Sequence, residues 1–194
     1  MKLTLVTPPA HEPVSLAEAK LHLRIADDAT DEDALIASLI VAARQHLDGY
    51  SGILGRCLID QTWALELDGF RDVIGLPLPP LRSVASVEYY DRDGVLQTVS
   101  PDVYDVVAGG TSGGYIQRRP GQSWPATGGR SLPVKVTFVA GYGPDWNAVP
   151  QPIRHAMLLL VGHWYANREA VGAGAPLPFA VDALLTPYRM VTLP

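Results

Sequence analysis

The chain has 194 residues, 47% of them hydrophobic and 18% charged, with a formal net charge of −5 and a pI near 5.4. That balance excludes a disordered chain, and it lacks the electrostatic footprint of a protein that grips phosphate backbones without sequence preference. The single cysteine, Cys57, excludes an intramolecular disulfide and any multi-cysteine metal site, and between Arg56 and Leu58 it reads as a small buried hydrophobe.

In chain order, residues 1–13 carry one lysine and a very short apolar run before prolines, which is not a secretory signal. Synthesis in the cytoplasm is expected, with no membrane partner, because no stretch reaches the roughly 18 apolar residues that span a bilayer. Ser15-Leu16-Ala17-Glu18 is a capping box that predicts a helix to about Ile25. The acidic turn from Ala26 to Asp33 offers Thr30 as a second N-cap, with Asp31, Glu32 and Asp33 at the positive end of the helix dipole. Leu35, Ile36, Leu39, Ile40, Ala43 and Leu47 then recur at helical spacing up to the breakers Gly49 and Gly52.

From Cys57 the period changes to two, and the alternation continues as a strand to Gly69. Arg71 to Pro80 holds a short strand closed by Pro77, Pro79 and Pro80, which places it at an edge or a strand exit because proline cannot donate to the ladder. Val84–Tyr90 and Val95–Val99 flank the turn Asp91-Arg92-Asp93-Gly94 as a hairpin. Val103–Val107, Gly114–Gln117 and Val134–Ala140 supply further strands. The glycine-rich links Ala108–Gly114 and Gly121–Gly129 read as mobile surface loops.

Pro150 to Arg168 is a helix that is apolar on nearly every side. Ile153, Ala156, Met157, Leu160, Val161 and Trp164 form one continuous face, Leu158 and Leu159 project from its flanks, and only a strip around His155 and Gly162 is less apolar. Such a helix is either central to its domain or also packs against a neighbouring chain. Val171–Pro178 reads as a tether, followed by a short apolar tail stopped by Pro187 that must dock on its own core or on a partner. The candidate partner contacts are therefore Leu158, Leu159, Trp164 and Tyr165 on the helix, with Leu184, Leu185, Tyr188 and Arg189 in the tail. The expected architecture is α+β: a small helical bundle (two N-terminal helices plus one long C-terminal helix) with an inserted antiparallel β-lobe and a tethered C-terminal tail. It forms a single domain over 1–194, with helical parts 15–52 and 149–170, a β-lobe 57–145 and a tail 171–194.

Catalytic chemistry is not legible. The five histidines do not pair in the sequence, and His155 and His163, eight residues apart, stand about 12 Å apart along a helix axis, too far to share a metal. The acidic turn lacks the alternating ligands and central glycine of a calcium loop. Gly109–Gly114 has no lysine after its glycines, no hydrolase nucleophile elbow is present, and Arg118-Arg119 alone does not define a nucleic-acid site. The four tryptophans are scattered and read as core anchors rather than a stacking platform. No catalytic residue, cofactor or metal is expected.

Taken together, several segments carry a likeness. These are Gly55-Arg56-x-Leu58-x-x-Gln61-Thr62-Trp63, Leu76-Pro77-Leu78-Pro79-Pro80-Leu81-x-Ser83-Val84, Tyr90-Asp91-x-Asp93-Gly94, and Ala140-Gly141-Tyr142-Gly143 leading through Val149-Pro150 to His163-Trp164-Tyr165-x-Asn167-Arg168-Glu169. With the opening Val14–Arg24 and the closing Leu184-Leu185-x-Pro187-Tyr188-Arg189, the chain resembles the head-tail connector, or adaptor, proteins of long-tailed bacteriophages and related gene transfer agents. The resemblance spans nearly the whole chain, through motifs that are individually short and specific only in their order and spacing; it assigns no role to Arg71 or to the Cys57 region. It implies a structural virion protein of the neck that forms a ring of about twelve copies beneath the portal protein. By the same resemblance the ring extends the DNA channel without binding DNA specifically, and meets a stopper or other tail-proximal neck protein on its far side. The alternatives are another neck component, such as a stopper or tail-completion protein, and a small enzymatic or ligand-binding domain that uses the β-lobe. Oligomerisation separates these classes: a ring at the portal favours the first, and a monomer with a deep apolar pocket favours the last.

Overall fold

The computed structural model describes residues 1–110, 113–168 and 179–190. In chain order these form β1 (Lys2–Thr7), α1 (Leu16–Leu23), α2 (Asp33–Leu47), β2 (Gln61–Leu67), β3 (Val73–Leu76), β4 (Leu81–Tyr90), β5 (Leu96–Thr98), β6 (Tyr104–Val107), β7 (Gly114–Arg118), β8 (Val134–Ala140), α3 (Gln151–Ala166) and α4 (Phe179–Leu185). The fold is α+β, with four helices and antiparallel sheets, and the contacts divide it into a β unit and a helical unit. The expected tether Val171–Pro178 and residues Thr111 and Ser112 of the first glycine-rich link lie outside the described residues.

The β unit comprises Met1–Ala10 and Asp60–Tyr142. Its larger sheet has the order β1-β2-β8-β4-β5 and its smaller one β3-β7-β6, with every pairing antiparallel. β8 shows why period two works as a signal: Val134, Val136, Phe138 and Ala140 are fully buried while the residues between them are half-buried. Between two neighbours, β8 has no free edge. The proline-closed segment forms β3, an edge strand as its prolines predict. β1 was not anticipated, since six residues exposed at almost every position become a strand only by pairing, Lys2 opposite Glu66 and Leu5 opposite Trp63.

The Gly121–Gly129 link is pinned rather than loose. Trp124 stacks on Phe70 with ring centroids 4.6 Å apart and donates from its indole nitrogen to the Arg71 carbonyl at 2.9 Å. Gly128 donates its amide to the Tyr90 carbonyl at 2.8 Å, and the Arg130 guanidinium lies 3.6 Å from the centre of the Tyr90 ring. The expectation of a mobile loop missed these aromatic contacts because their partners lie far away in sequence. At the start of β7, a Cβ on Gly114 would come 2.6 Å from Leu81 Cβ, which is anchored to the backbone and cannot swing clear. Gly114→Ala is therefore expected to destabilise the β unit by about 1–3 kcal/mol, measurable as a lowered urea midpoint.

The helical unit comprises the described residues of His11–Ile59 and Gly143–Pro194. The capping box forms as predicted: Ser15 Oγ accepts from the Glu18 amide at 3.2 Å, and Glu18 Oε2 accepts from the Ser15 amide at 3.0 Å. α1 then stops short of Ile25, because Arg24 takes a left-handed conformation at φ 61°. α2 begins at Asp33 with Glu32 in the cap position, so Thr30 is not the N-cap. The acidic side chains there are held by tertiary partners instead, Asp33 by the Lys20 ammonium at 3.0 Å and Glu32 by Tyr165 and Arg168. Ile36, Ile40, Ala43 and Leu47 face inward, as their spacing requires. Cys57, Leu58 and Ile59 are buried in the helical unit, with the Leu58 amide donating to Asp48 Oδ1 at 2.7 Å, and strand structure begins only at Gln61.

α3 is the central helix. It packs against α1, α2 and α4, which accounts for an apolar surface that extends beyond one face. α4 docks on it through the fully buried Val181 and Leu185, and the Met190 amide closes the tail by donating to the Leu54 carbonyl at 3.0 Å.

Candidate interaction surface

The sequence places two sets of candidate contacts on α3 and the tail, and the structure sorts them by what remains accessible. Leu158 and Leu159 are each half-buried on α3, so both flanks keep apolar surface. Trp164 is half-buried and meets the His46 ring edge-on at a centroid distance of 6.2 Å. Tyr165 is engaged within its own unit, where its hydroxyl donates to Glu32, and Arg168 donates to the same carboxylate while lying 5.0 Å from the centre of the Tyr165 ring. The Tyr165 hydroxyl first, and Arg168 second, hold the Glu32 carboxyl below its ordinary value, and the same bond pushes the Tyr165 phenol up. This clamp ties the acidic turn to the end of α3.

In the tail, Leu185 is fully buried within its own unit and offers no surface, whereas Leu184, Tyr188 and Arg189 are half-buried. Arg189 bonds Asp182 at 2.7 Å, which closes the short helix on itself. A tail simply held out for a partner is thus not what these residues form; burying Val181 and Leu185 against α3 removes their apolar surface from water. Phe179, at 87% exposure, is the accessible aromatic that the sequence pattern did not single out. Its signal was its place at the first turn of the tail helix, ahead of the residues that dock.

Arg154 was also missed. It lies 7% exposed within the apolar run of α3, donating Nε to the Pro13 carbonyl at 3.0 Å, Nη1 to Gln151 Oε1 at 3.0 Å and Nη2 to Glu18, with its guanidinium 4.4 Å from the centre of the Trp146 ring. Burial pushes the Glu18 carboxyl up, but the Ser15 amide and hydroxyl and the Arg154 charge outweigh it and hold the group below its ordinary value. The signal was a lone arginine in a helix otherwise apolar on that side, which needs a partner wherever it lies.

These polar groups do not converge on chemistry. An open cleft of about 490 Å³ is lined by His11, Glu12, Val14, Ser15, Ile40 and Trp146 among others. Its Ser15 is engaged in the capping box, and its Glu12 accepts from Arg44 at 2.8 Å. His22 and His155, distant in sequence, meet edge-on at 6.3 Å, and burial together with the His155 charge pushes His22 down. Among the described residues no group of three or more His, Cys, Asp or Glu side chains is placed to hold a metal, and no helix is long and apolar enough to cross a membrane.

Comparison with known proteins shows what kind of protein carries this arrangement. Residues 13–75 match the phage gp6-like head-tail connector protein family. A chain from the neck of an empty gene transfer agent particle, computed with C6 symmetry, is 30% identical over 100% of this chain and 97% of its own, with a TM-score of 0.81. A chain from the virion of a native gene transfer agent particle is 28% identical over the same shares, with a TM-score of 0.82. One from the neck of a native particle, computed with C12 symmetry, is 27% identical over the same shares, with a TM-score of 0.73. No curated protein matches. Fold and likeness together define a structural component of a phage-like neck. The chain belongs to the head-tail connector, or adaptor, family of long-tailed phages and gene transfer agents.

Proposed function

We propose that the protein assembles as a ring of about twelve copies beneath a portal protein, extends the DNA channel and joins the head to the tail. The observation that carries this reading is the end-to-end likeness to a neck chain: 30% identity covers all of this chain and 97% of the other, so both units take part. The twelvefold symmetry of a related neck supports the copy number. A stopper or other tail-proximal neck protein is its partner on the far side, and the virion neck is its place. The protein acts without catalysis, cofactor or metal. Its net charge of −5 suits a channel lining that lets phosphates pass.

Leu158, Leu159 and Trp164 on α3, with Leu184, Tyr188 and Arg189 in the tail, supply the partner contacts in this reading. Tyr165 and Leu185 support them from within, the first by clamping Glu32 and the second by seating α4. Electron microscopy of the purified protein mixed with its cognate portal tests the assignment: rings seated on the portal are expected, and a protein that stays monomeric beside intact portals refutes it. Leu158→Asp and Leu159→Asp test the surface. Each is expected to keep helical circular dichroism while lowering ring occupancy at least tenfold, because an unpaired carboxylate buried at a contact costs several kcal/mol. Normal ring assembly by the folded double variant would remove α3 from the interface.

A further inference from the structure

In the β unit the large apolar side chains that stay exposed all lie on or beside strands at sheet edges. Met1, Leu5 and Val6 belong to β1 and its start, and Val95 and Leu96 to β5 and its start, at the two ends of the five-stranded sheet; Val73 and Val106 lie on β3 and β6, at the ends of the smaller one. Leu5 and Val6 lie at the bulge of β1, where the pairing with β2 steps from Leu5 to Thr7, and Val95 immediately precedes Leu96, the first residue of β5, so each edge of the larger sheet carries two adjacent exposed apolar groups. Among the described residues neither β1 nor β5 has a strand on its outer side, and every second residue of an edge strand turns its amide and carbonyl outward. An edge of this kind is a template for another strand.

Strand direction decides which strand fits. Four successive antiparallel pairings separate β1 from β5, so the two edges run the same way. In a twelvefold ring, neighbouring copies differ by a rotation of about 30°, within the range by which adjacent strands naturally twist. A rotation that small cannot reverse a strand, so the β5 edge of one copy and the β1 edge of the next can meet only in parallel. A head-to-tail ring also demands two different, mutually complementary patches on each copy, and opposite edges of one sheet meet that condition.

We infer that neighbouring copies in the ring are joined by parallel pairing of β1 of one copy with β5 of the next, so that the five-stranded sheets continue from copy to copy. The inference rests on the ring proposed above. Pairing satisfies outward backbone groups on both edges and covers Leu5, Val6, Val95 and Leu96. The larger sheet is favoured over the smaller by its exposed apolar side chains, Leu5 and Val6 on β1 and Val95 and Leu96 on or beside β5, against one valine on each of β3 and β6; β5 spans three residues, so the pairing is that short.

The sole native cysteine, Cys57, is fully buried, so introduced thiols report the contact cleanly. The full chain carrying Thr4→Cys and Thr98→Cys, both at exposed positions on the two edges, is assembled on the cognate portal and treated with a short bismaleimide. The expected result is conversion of most of the monomer band into a ladder of covalent oligomers, with either single variant remaining monomeric. Rings visible by microscopy whose subunits stay monomeric after cross-linking overturn the edge pairing and leave the ring standing. So does a ladder formed by Val73→Cys with Val106→Cys instead, and so does a covalent dimer of the Thr4→Cys variant alone, which marks a two-fold β1 contact. Absence of rings with the wild-type chain overturns both readings. Should the double-cysteine chain not fold, Val6→Lys and Leu96→Glu serve: each alone is expected to lower ring occupancy at least tenfold and the pair to restore it, and failure of that rescue counts against the inference.

Discussion

Removing residues 179–194 is expected to lower the stability of the helical unit by about 3–6 kcal/mol, since burying Val181 and Leu185 contributes about 1.5–3 kcal/mol for each side chain. At about 2–4 °C per kcal/mol for a chain of this size, the melting temperature should fall by about 6–24 °C, read by scanning calorimetry. The cause is exposure of the α3 surface that α4 covers, together with loss of the Met190 bond to the Leu54 carbonyl. Leu185→Ala isolates part of this effect and should cost about 2–5 kcal/mol, because the space left behind is walled by a helix held on its other sides. A truncated protein that melts with the full chain would mean that α4 only rests on α3. Loss of portal binding by the truncated protein then has to be read against its stability, and Leu184→Asp or Phe179→Asp is the cleaner probe of contact, since Phe179 is 87% exposed and Leu184 half-buried.

Arg154→Leu is expected to cost about 3 kcal/mol, despite putting an apolar side chain into an apolar helix. The arginine is bonded to the Pro13 carbonyl, to Gln151 and to Glu18, and packs on Trp146. Leucine leaves the carbonyl without that donor and the Glu18 carboxylate without its counter-charge. Glu18 retains its bonds to Ser15 and about a third of its side-chain surface, which keeps the penalty below that of a fully buried broken pair. The check is a urea titration: the midpoint should drop with an unchanged slope, and Glu18→Gln should drop it less, since an amide oxygen still accepts from the guanidinium. Equal midpoints for Arg154→Leu and the wild-type chain would show that the arginine network contributes nothing net.

Short-range pattern along the chain was enough for the local rules and the class of fold. Ser15 and Glu18 announced the start of α1, since both halves of a capping box lie within four residues. The 3.6-residue spacing of Ile36, Ile40, Ala43 and Leu47 and the alternation in β8 marked helix and strand, because each period belongs to one backbone geometry. The ordered motifs were sufficient for the family. Everything else depended on the folded chain, always for the same reason: the partner lies too far away in sequence for any local pattern to contain it. β1 is a strand because Glu66 to Thr62 stand beside it, and Glu32 stands at the cap position of α2 without a side-chain capping bond, its carboxylate held instead by Tyr165 and Arg168. The Gly121–Gly129 link is pinned by an aromatic stack on Phe70, and the tail is a docked helix because α3 has a flank to cover. Whether an apolar side chain is core or contact depends on what stands opposite it, which is why Leu185 and Phe179, six residues apart in the same tail, end up fully buried and almost fully exposed.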